Sequence, residues 1–162
     1  MYAIGDKIVC PMHGAGTIEA IEERTVRDVC VNYFVFTAAR GTMKILIPCD
    51  NPTSIGVRSI IKKSEVIKVK EILKATSSEM TKIWNRRYRD NMEKLKTGSI
   101  MSVSEVVRDL MRVDCEKKLS TGEKKMLLNA KQILISELSL VMQKEESELC
   151  DLIERNVMSV GK

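Results

Sequence analysis

From about Ser64 onward the apolar residues of the chain change their period, and that change divides it into two kinds of structure. Ahead of it, short β-branched and aromatic runs alternate with turn residues. The runs are Lys7-Ile8-Val9-Cys10, Gly16-Thr17-Ile18-Glu19-Ala20-Ile21, Val29 to Phe36 and Met43-Lys44-Ile45-Leu46-Ile47, separated at Pro11, Gly14, Gly16, Gly41 and Pro48. Strands so short and closely spaced predict a small antiparallel barrel. Residues 1 to 50 make only a thin core, so this unit should lean on the next one or on a partner.

Beyond the change, three Ser/Thr-x-x-Glu sequences mark helix starts: Thr76-Ser77-Ser78-Glu79, Ser102-Val103-Ser104-Glu105 and Ser120-Thr121-Gly122-Glu123. Each can satisfy helix N-terminal amides that have no partner within the helix. Gly98 is placed to end the first of these helices. Val103, Val106, Val107 and Leu110 define the next apolar face. A longer helix follows with Leu127, Ala130, Ile133, Leu134, Leu138 and Val141 inward, and Leu149, Leu152, Ile153 and Val157 predict a last, acidic one. The expected architecture is α+β, with a barrel over residues 1–55 and an all-α unit of about five helices over residues 56–162. Asp50 to Arg58 has turn composition but is short, which limits the relative freedom of the two units.

The net charge of +5 is unevenly placed. Residues 1 to 50 hold five Lys or Arg against six Asp or Glu, and the last eighteen residues hold two against five. Positive charge therefore concentrates between Arg58 and Lys131, the pattern expected of a polyanion footprint. No apolar run approaches the roughly 20 residues of a membrane span, and the N-terminus lacks a basic segment leading into an apolar one. A cytoplasmic protein is expected, with no membrane partner. Five scattered cysteines without a C-x-x-C pair predict free, mostly buried thiols. Cys10 and His13 are three apart, but two ligands do not make a metal site. His13 reads as a turn residue, Gly14-Ala15-Gly16 lacks the rest of a dinucleotide loop, and Glu22-Glu23 and Glu145-Glu146 read as exposed charge. The expectation is a non-enzyme without metal or cofactor.

Trp84-Asn85-Arg86-Arg87-Tyr88-Arg89 holds the chain's only Trp and three Arg within six positions. A planar ring among guanidinium groups can stack on or wedge between bases while the cations hold phosphates. At about 100° per residue, however, Met80, Ile83, Trp84, Tyr88, Met92 and Leu95 share one side of a helix, and a core role for Trp84 fits that stripe as well. Arg86 and Arg89 lie away from the stripe, and their alternatives are a solvated face or phosphate contact.

Several segments, in this order, resemble the bacterial CarD/CdnL transcription regulators over nearly the full length. They are Gly5 to Val9 with Pro11-Met12-His13-Gly14, Ile18 to Glu22, Gly56-Val57-Arg58, Trp84 to Tyr88, Glu105 to Leu110, and Leu119 to Leu127. The resemblance implies a Tudor-like barrel that binds the lobe of the RNA polymerase β subunit, as the matching module of the transcription-repair coupling helicase does. It implies a helical half that meets promoter DNA at the upstream edge of the bubble, in a monomer that reads no sequence. Trp84 would wedge into the minor groove there. Arg86, Arg89 and Lys124 would hold the backbone, with Arg87 grouped among the DNA-binding residues. On the polymerase side it points to Arg24 and to Lys44, Ile45 and Leu46. Leu46 stands where members carry a second polymerase-contacting Arg, so that contact should be more apolar or use backbone pairing along its strand. Cys10 stands where members often carry Tyr. A free-standing nucleic-acid binder and a protein adaptor without DNA contact are the competing readings.

Overall fold

The computed structural model describes residues 2–39 and 43–159. Five antiparallel strands come first: β1 (Lys7–Cys10), β2 (Gly14–Val26), β3 (Val29–Ala38), β4 (Lys44–Pro48) and β5 (Arg58–Ser59), in the order β4-β3-β2-β1-β5. Ile8, Ile18, Phe34, Phe36, Ile47 and Val57 form one core. Because that core draws side chains from four strands and from Val57 next to the fifth, the sheet curls round it as a small open barrel. The turn expected at Gly41 lies outside the described residues.

β2 runs further than its alternating pattern predicts. From Glu22 to Val26 it is exposed on both faces, so nothing in the hydrophobic period marks it, and pairing with β3 alone continues it to a two-residue turn. Arg27 and Asp28 both have positive φ there, 50° and 63°, the geometry of the hairpin turn whose twist matches its strands. β5 pairs with β1, which carries the sheet past residue 55.

Five helices follow: α1 (Val66–Lys74), α2 (Trp84–Lys96), α3 (Ile100–Glu116), α4 (Thr121–Met142) and α5 (Glu146–Met158). α3 contributes Ile100, Val103, Val106, Val107 and Leu110 to a core shared by all five. Gly98, with φ of 74°, follows the end of α2 as expected, its amide donating to the Leu95 carbonyl.

Two of the three expected caps are not formed. Residues 75 to 83 are not helical, because Ser77 and Ser78 accept hydrogen bonds from Arg112 and Arg108 of α3, each at 2.9 Å. α2 therefore starts at Trp84, and Met80 and Ile83 precede it rather than lying on its stripe. α3 starts at Ile100 behind Ser99, leaving Ser102 and Glu105 inside the helix. Only Ser120 caps as predicted, its Oγ accepting from the Glu123 amide at 3.3 Å. The thiols are free, but only Cys10 is buried, and Cys30 and Cys115 are exposed. Burial also raises the Cys10 pKa above its ordinary value.

The two units join where α4 packs on β2. Gly14 has φ of 89°, and a Cβ there would lie 2.6 Å from Ser136 Oγ, so only glycine lets α4 approach. The neighbouring Ala15 amide donates to that same oxygen at 2.9 Å. Met12, with a left-handed φ of 70°, packs against the helical core. Arg58 of β5 meets Glu137 of α4 through two bonds of 2.8 and 2.7 Å and donates to the Gly98 carbonyl at 3.0 Å. Glu137 also accepts the Ile61 amide at 2.9 Å.

Candidate functional site

Trp84 is the first residue of α2, so no preceding turn covers it, and the side chain remains 47% exposed. The rest of the stripe behaves as core: Leu95 is buried and Tyr88 and Met92 pack against the helical cluster. The indole is exposed but held. Its Nε1–H donates to Ser120 Oγ at 2.9 Å, and its ring stacks on Tyr88 with centroids 5.9 Å apart and planes 25° apart. Gly122, in the first turn of α4, lies against both rings.

Three neighbouring arginines divide into two kinds. Arg86 and Arg89 are exposed, as are Lys82, Lys124 and Lys125. Arg87 is turned inward, contrary to its grouping with the phosphate contacts. Its Nε and Nη2 donate to the two carboxylate oxygens of Glu123 at 2.7 and 2.6 Å. Glu123 is 1% exposed. These charge-assisted bonds hold the proton on Arg87 more firmly than on a free guanidinium. The same pairing neutralises Glu123, so the exposed cations beside the indole face no carboxylate from that turn of α4.

The basic middle segment is less basic at its surface than its composition implies. Arg58, Arg87, Arg108 and Arg112, four of the six arginines between Arg58 and Lys131, donate to the protein itself. Arg108 pairs with Asp109 at 2.8 Å. Arg112 donates to carbonyls at the ends of α1 and α5, namely Leu73 at 3.2 Å, Ala75 at 2.7 Å and Val157 at 3.1 Å. A cation on two helix C-termini complements the negative ends of their dipoles, while burial and neighbouring Arg108 lower the Arg112 pKa from its ordinary value. The sequence signals that separate these arginines from the exposed ones are positional: Arg108 and Arg112 lie on the apolar face of α3, and Arg87, three residues from Trp84, lies nearer the apolar stripe than Arg86 and Arg89 do.

On the sheet, β4 is an edge strand, and an edge strand offers a partner its unpaired amides and carbonyls. Leu46 is 37% exposed and faces away from the core. Ile45 is partly buried against the β core, so what it offers outward is mainly its backbone. Lys44 is exposed, 3.5 Å from Glu19. Leu46 lies beside Val35 and Val35 beside Ala20. Alternation from Ala20 then puts Glu22 and Arg24 on the Leu46 face. Arg24 is exposed and bound to Glu22 at 3.1 Å, a surface pair of the kind worth at most about 1 kcal/mol. The Trp84 and Leu46 surfaces belong to different units joined through α4.

Among the described residues no helix is long and apolar enough to cross a membrane. A family model for the CarD-like/TRCF RID domain matches residues 2–61, and one for the CarD C-terminal domain matches residues 68–154. The chain is also 40% identical over 149 residues to a Bacillus subtilis (strain 168) protein described as "Putative transcription factor YdeB", with 92% of this chain and 97% of that one covered. The curled sheet is thus an RNA polymerase-interacting domain, and the helices are the domain that follows it in these regulators. The chain belongs to the CarD family of transcription factors, a family that is not enzymatic.

Proposed function

We propose that this protein, acting as a cytoplasmic monomer, binds the lobe of the RNA polymerase β subunit and stabilises the promoter open complex without reading sequence. Residues 1–55 carry the polymerase contact, through Arg24, Lys44 and Leu46 and the backbone at Ile45. Residues 56–162 carry the DNA contact at the upstream edge of the bubble. Trp84 enters the minor groove there, and Arg86, Arg89 and Lys124 hold the phosphates.

The observation that carries this reading is the state of Trp84: a large ring, 47% exposed, tethered at its edge and flanked by exposed cations. The half-exposed indole leaves apolar ring area in water even when stacked on Tyr88, and a stacked base step offers it an apolar, polarisable slot. Insertion favours the melted promoter over the closed one because only the melted form offers that step, and a ligand shifts an equilibrium by its differential affinity. About 1.4 kcal/mol of preference is a tenfold change, within reach of one aromatic contact with a base. The expected result is that Trp84→Ala shortens open-complex lifetime about tenfold while binding to the purified β lobe is unchanged. Equal lifetimes for wild type and variant in a promoter-dissociation assay would refute the wedge. A gel shift with duplex alone separates recruitment by polymerase, which predicts weak binding, from free-standing DNA binding, which predicts tight, strongly salt-dependent binding.

A further inference from the structure

We propose that Ser120, Glu123 and Arg87 are positioning residues for the indole, forming a brace that fixes its angle before DNA arrives. Arg87 then acts on DNA through Trp84 and not by touching phosphate. This rests on the wedge reading above and adds to it the residues that make the ring rigid.

The brace is a closed circuit between two helices. Trp84 donates to Ser120 Oγ at 2.9 Å, and the Ser120 hydroxyl donates to Glu123 Oε1 at 3.2 Å. Arg87 clamps both Glu123 oxygens, and Arg87 is on α2, one turn beyond Trp84. A hydroxyl has one donor and two acceptor sites. Ser120 fills all three, since its oxygen also accepts the Glu123 amide at 3.3 Å. The hydroxyl therefore cannot rotate without breaking a bond, and the carboxylate that orients it is buried and held at two points.

Each part answers a weakness of the wedge. A side chain at the first position of a helix has solvent on one flank and several rotamers open to it. An indole free to turn would lose that freedom on insertion, whereas one held beforehand loses little. Buried Glu123 without Arg87 would place uncompensated negative charge beneath a DNA-facing surface. One guanidinium thus both neutralises the carboxylate and aims it.

A double-mutant cycle on open-complex lifetime tests the brace. Ser120→Ala should shorten the lifetime about three- to tenfold, the usual worth of one hydrogen bond, and Ser120→Thr, which keeps hydroxyl and cap, should stay within about twofold of wild type. The pair Arg87→Met with Glu123→Gln leaves no unpaired charge, keeps a residue able to complete the capping box, and should shorten the lifetime as Ser120→Ala does. In a Trp84→Ala background both effects should vanish. Trp84 is the only Trp of the chain, so its fluorescence anisotropy should fall in free Ser120→Ala protein at unchanged far-UV circular dichroism. Equal losses with and without the indole would mean that Ser120 serves only the fold, which overturns the brace. So would an unchanged lifetime in Ser120→Ala beside a shortened one in Trp84→Ala, with the wedge left standing. If Trp84→Ala itself changes nothing, wedge and brace fall together.

Discussion

Glu123 and Glu137 lie fourteen residues apart on α4, and each receives two bonds from an arginine of another element. Both carboxylates are buried, at 1% and 2% exposure. Their surroundings differ. Around Glu137 the donors are the partly exposed Arg58 and the Ile61 amide, and Arg58 goes on to the Gly98 carbonyl, so the circuit ends on backbone. Around Glu123 the circuit ends on Ser120 and then on a half-exposed indole. The same pair of side chains serves in one place to weld two units and in the other to present a ring. Between them α4 spans about 21 Å at 1.5 Å per residue, which sets how far Trp84 stands from the Glu137 junction with the sheet.

The largest effect expected from breaking this parallel is at the weld. Glu137→Ala removes the acceptor shared by Arg58 and the Ile61 amide. Because Arg58 is partly exposed and keeps the Gly98 carbonyl, the cost falls below the roughly 3–5 kcal/mol of a fully buried pair, at about 2–3 kcal/mol, readable in urea unfolding. Because the strands keep their own core, β-lobe binding should persist while open-complex stabilisation is lost through slack between sheet and wedge. A Glu137→Ala protein that holds the promoter open as wild type does would mean that α4 is not the strut.

A smaller effect distinguishes the three adjacent arginines. Arg86→Glu with Arg89→Glu should leave stability within about 0.5 kcal/mol, as exposed substitutions do. It should lower the slope of log affinity against log salt by about two, one unit for each phosphate no longer neutralised. Duplex binding in the polymerase complex across a salt series measures it. An unaltered slope would assign these cations to a solvated face, the reading that an adaptor without DNA contact requires.

How much of this was legible in the chain follows from which signals are local. The division into strands and helices was, because apolar period and turn residues are read within a few positions. The Ser120 cap and Gly98 were legible for the same reason. The Thr76 to Glu79 box was not, since its serines are claimed by Arg108 and Arg112, 30 and 35 residues away in sequence. That loss of about two helical turns also moves Trp84 from mid-helix to the helix start, which explains its exposure. The stripe of Met80 and Ile83 argues for the opposite. Arg87 could not be told from Arg86 and Arg89 by composition. Hints lay in position: Arg86 and Arg89 fall away from the stripe and Arg87 does not, Arg87 is three residues from Trp84, and Glu123 is three from the Ser120 that caps α4. The matching segments Pro11 to Gly14 and Gly56 to Arg58 gave no sign of their use, which is to join the units through Met12, Gly14 and Arg58.

The smallest expected effect concerns the sheet edge, where a side chain and a backbone compete as the point of contact. Leu46 faces outward on β4, on the Arg24 side, while Ile45 is turned to the core. Covering the remaining apolar area of one partly exposed leucine is worth about 1 kcal/mol at roughly 25 cal/mol per Å², or about fivefold in affinity. Leu46→Ala should therefore weaken binding of the intact protein to the β lobe about fivefold, with stability little changed and no new salt dependence, since no charge is involved. Arg24→Ala should weaken it with a loss of salt dependence. If Leu46→Ala binds as wild type, the strand is recognised through its amides and carbonyls, which no side-chain truncation removes. The exposed face of β4 would then serve register alone, with Arg24 supplying the side-chain contact.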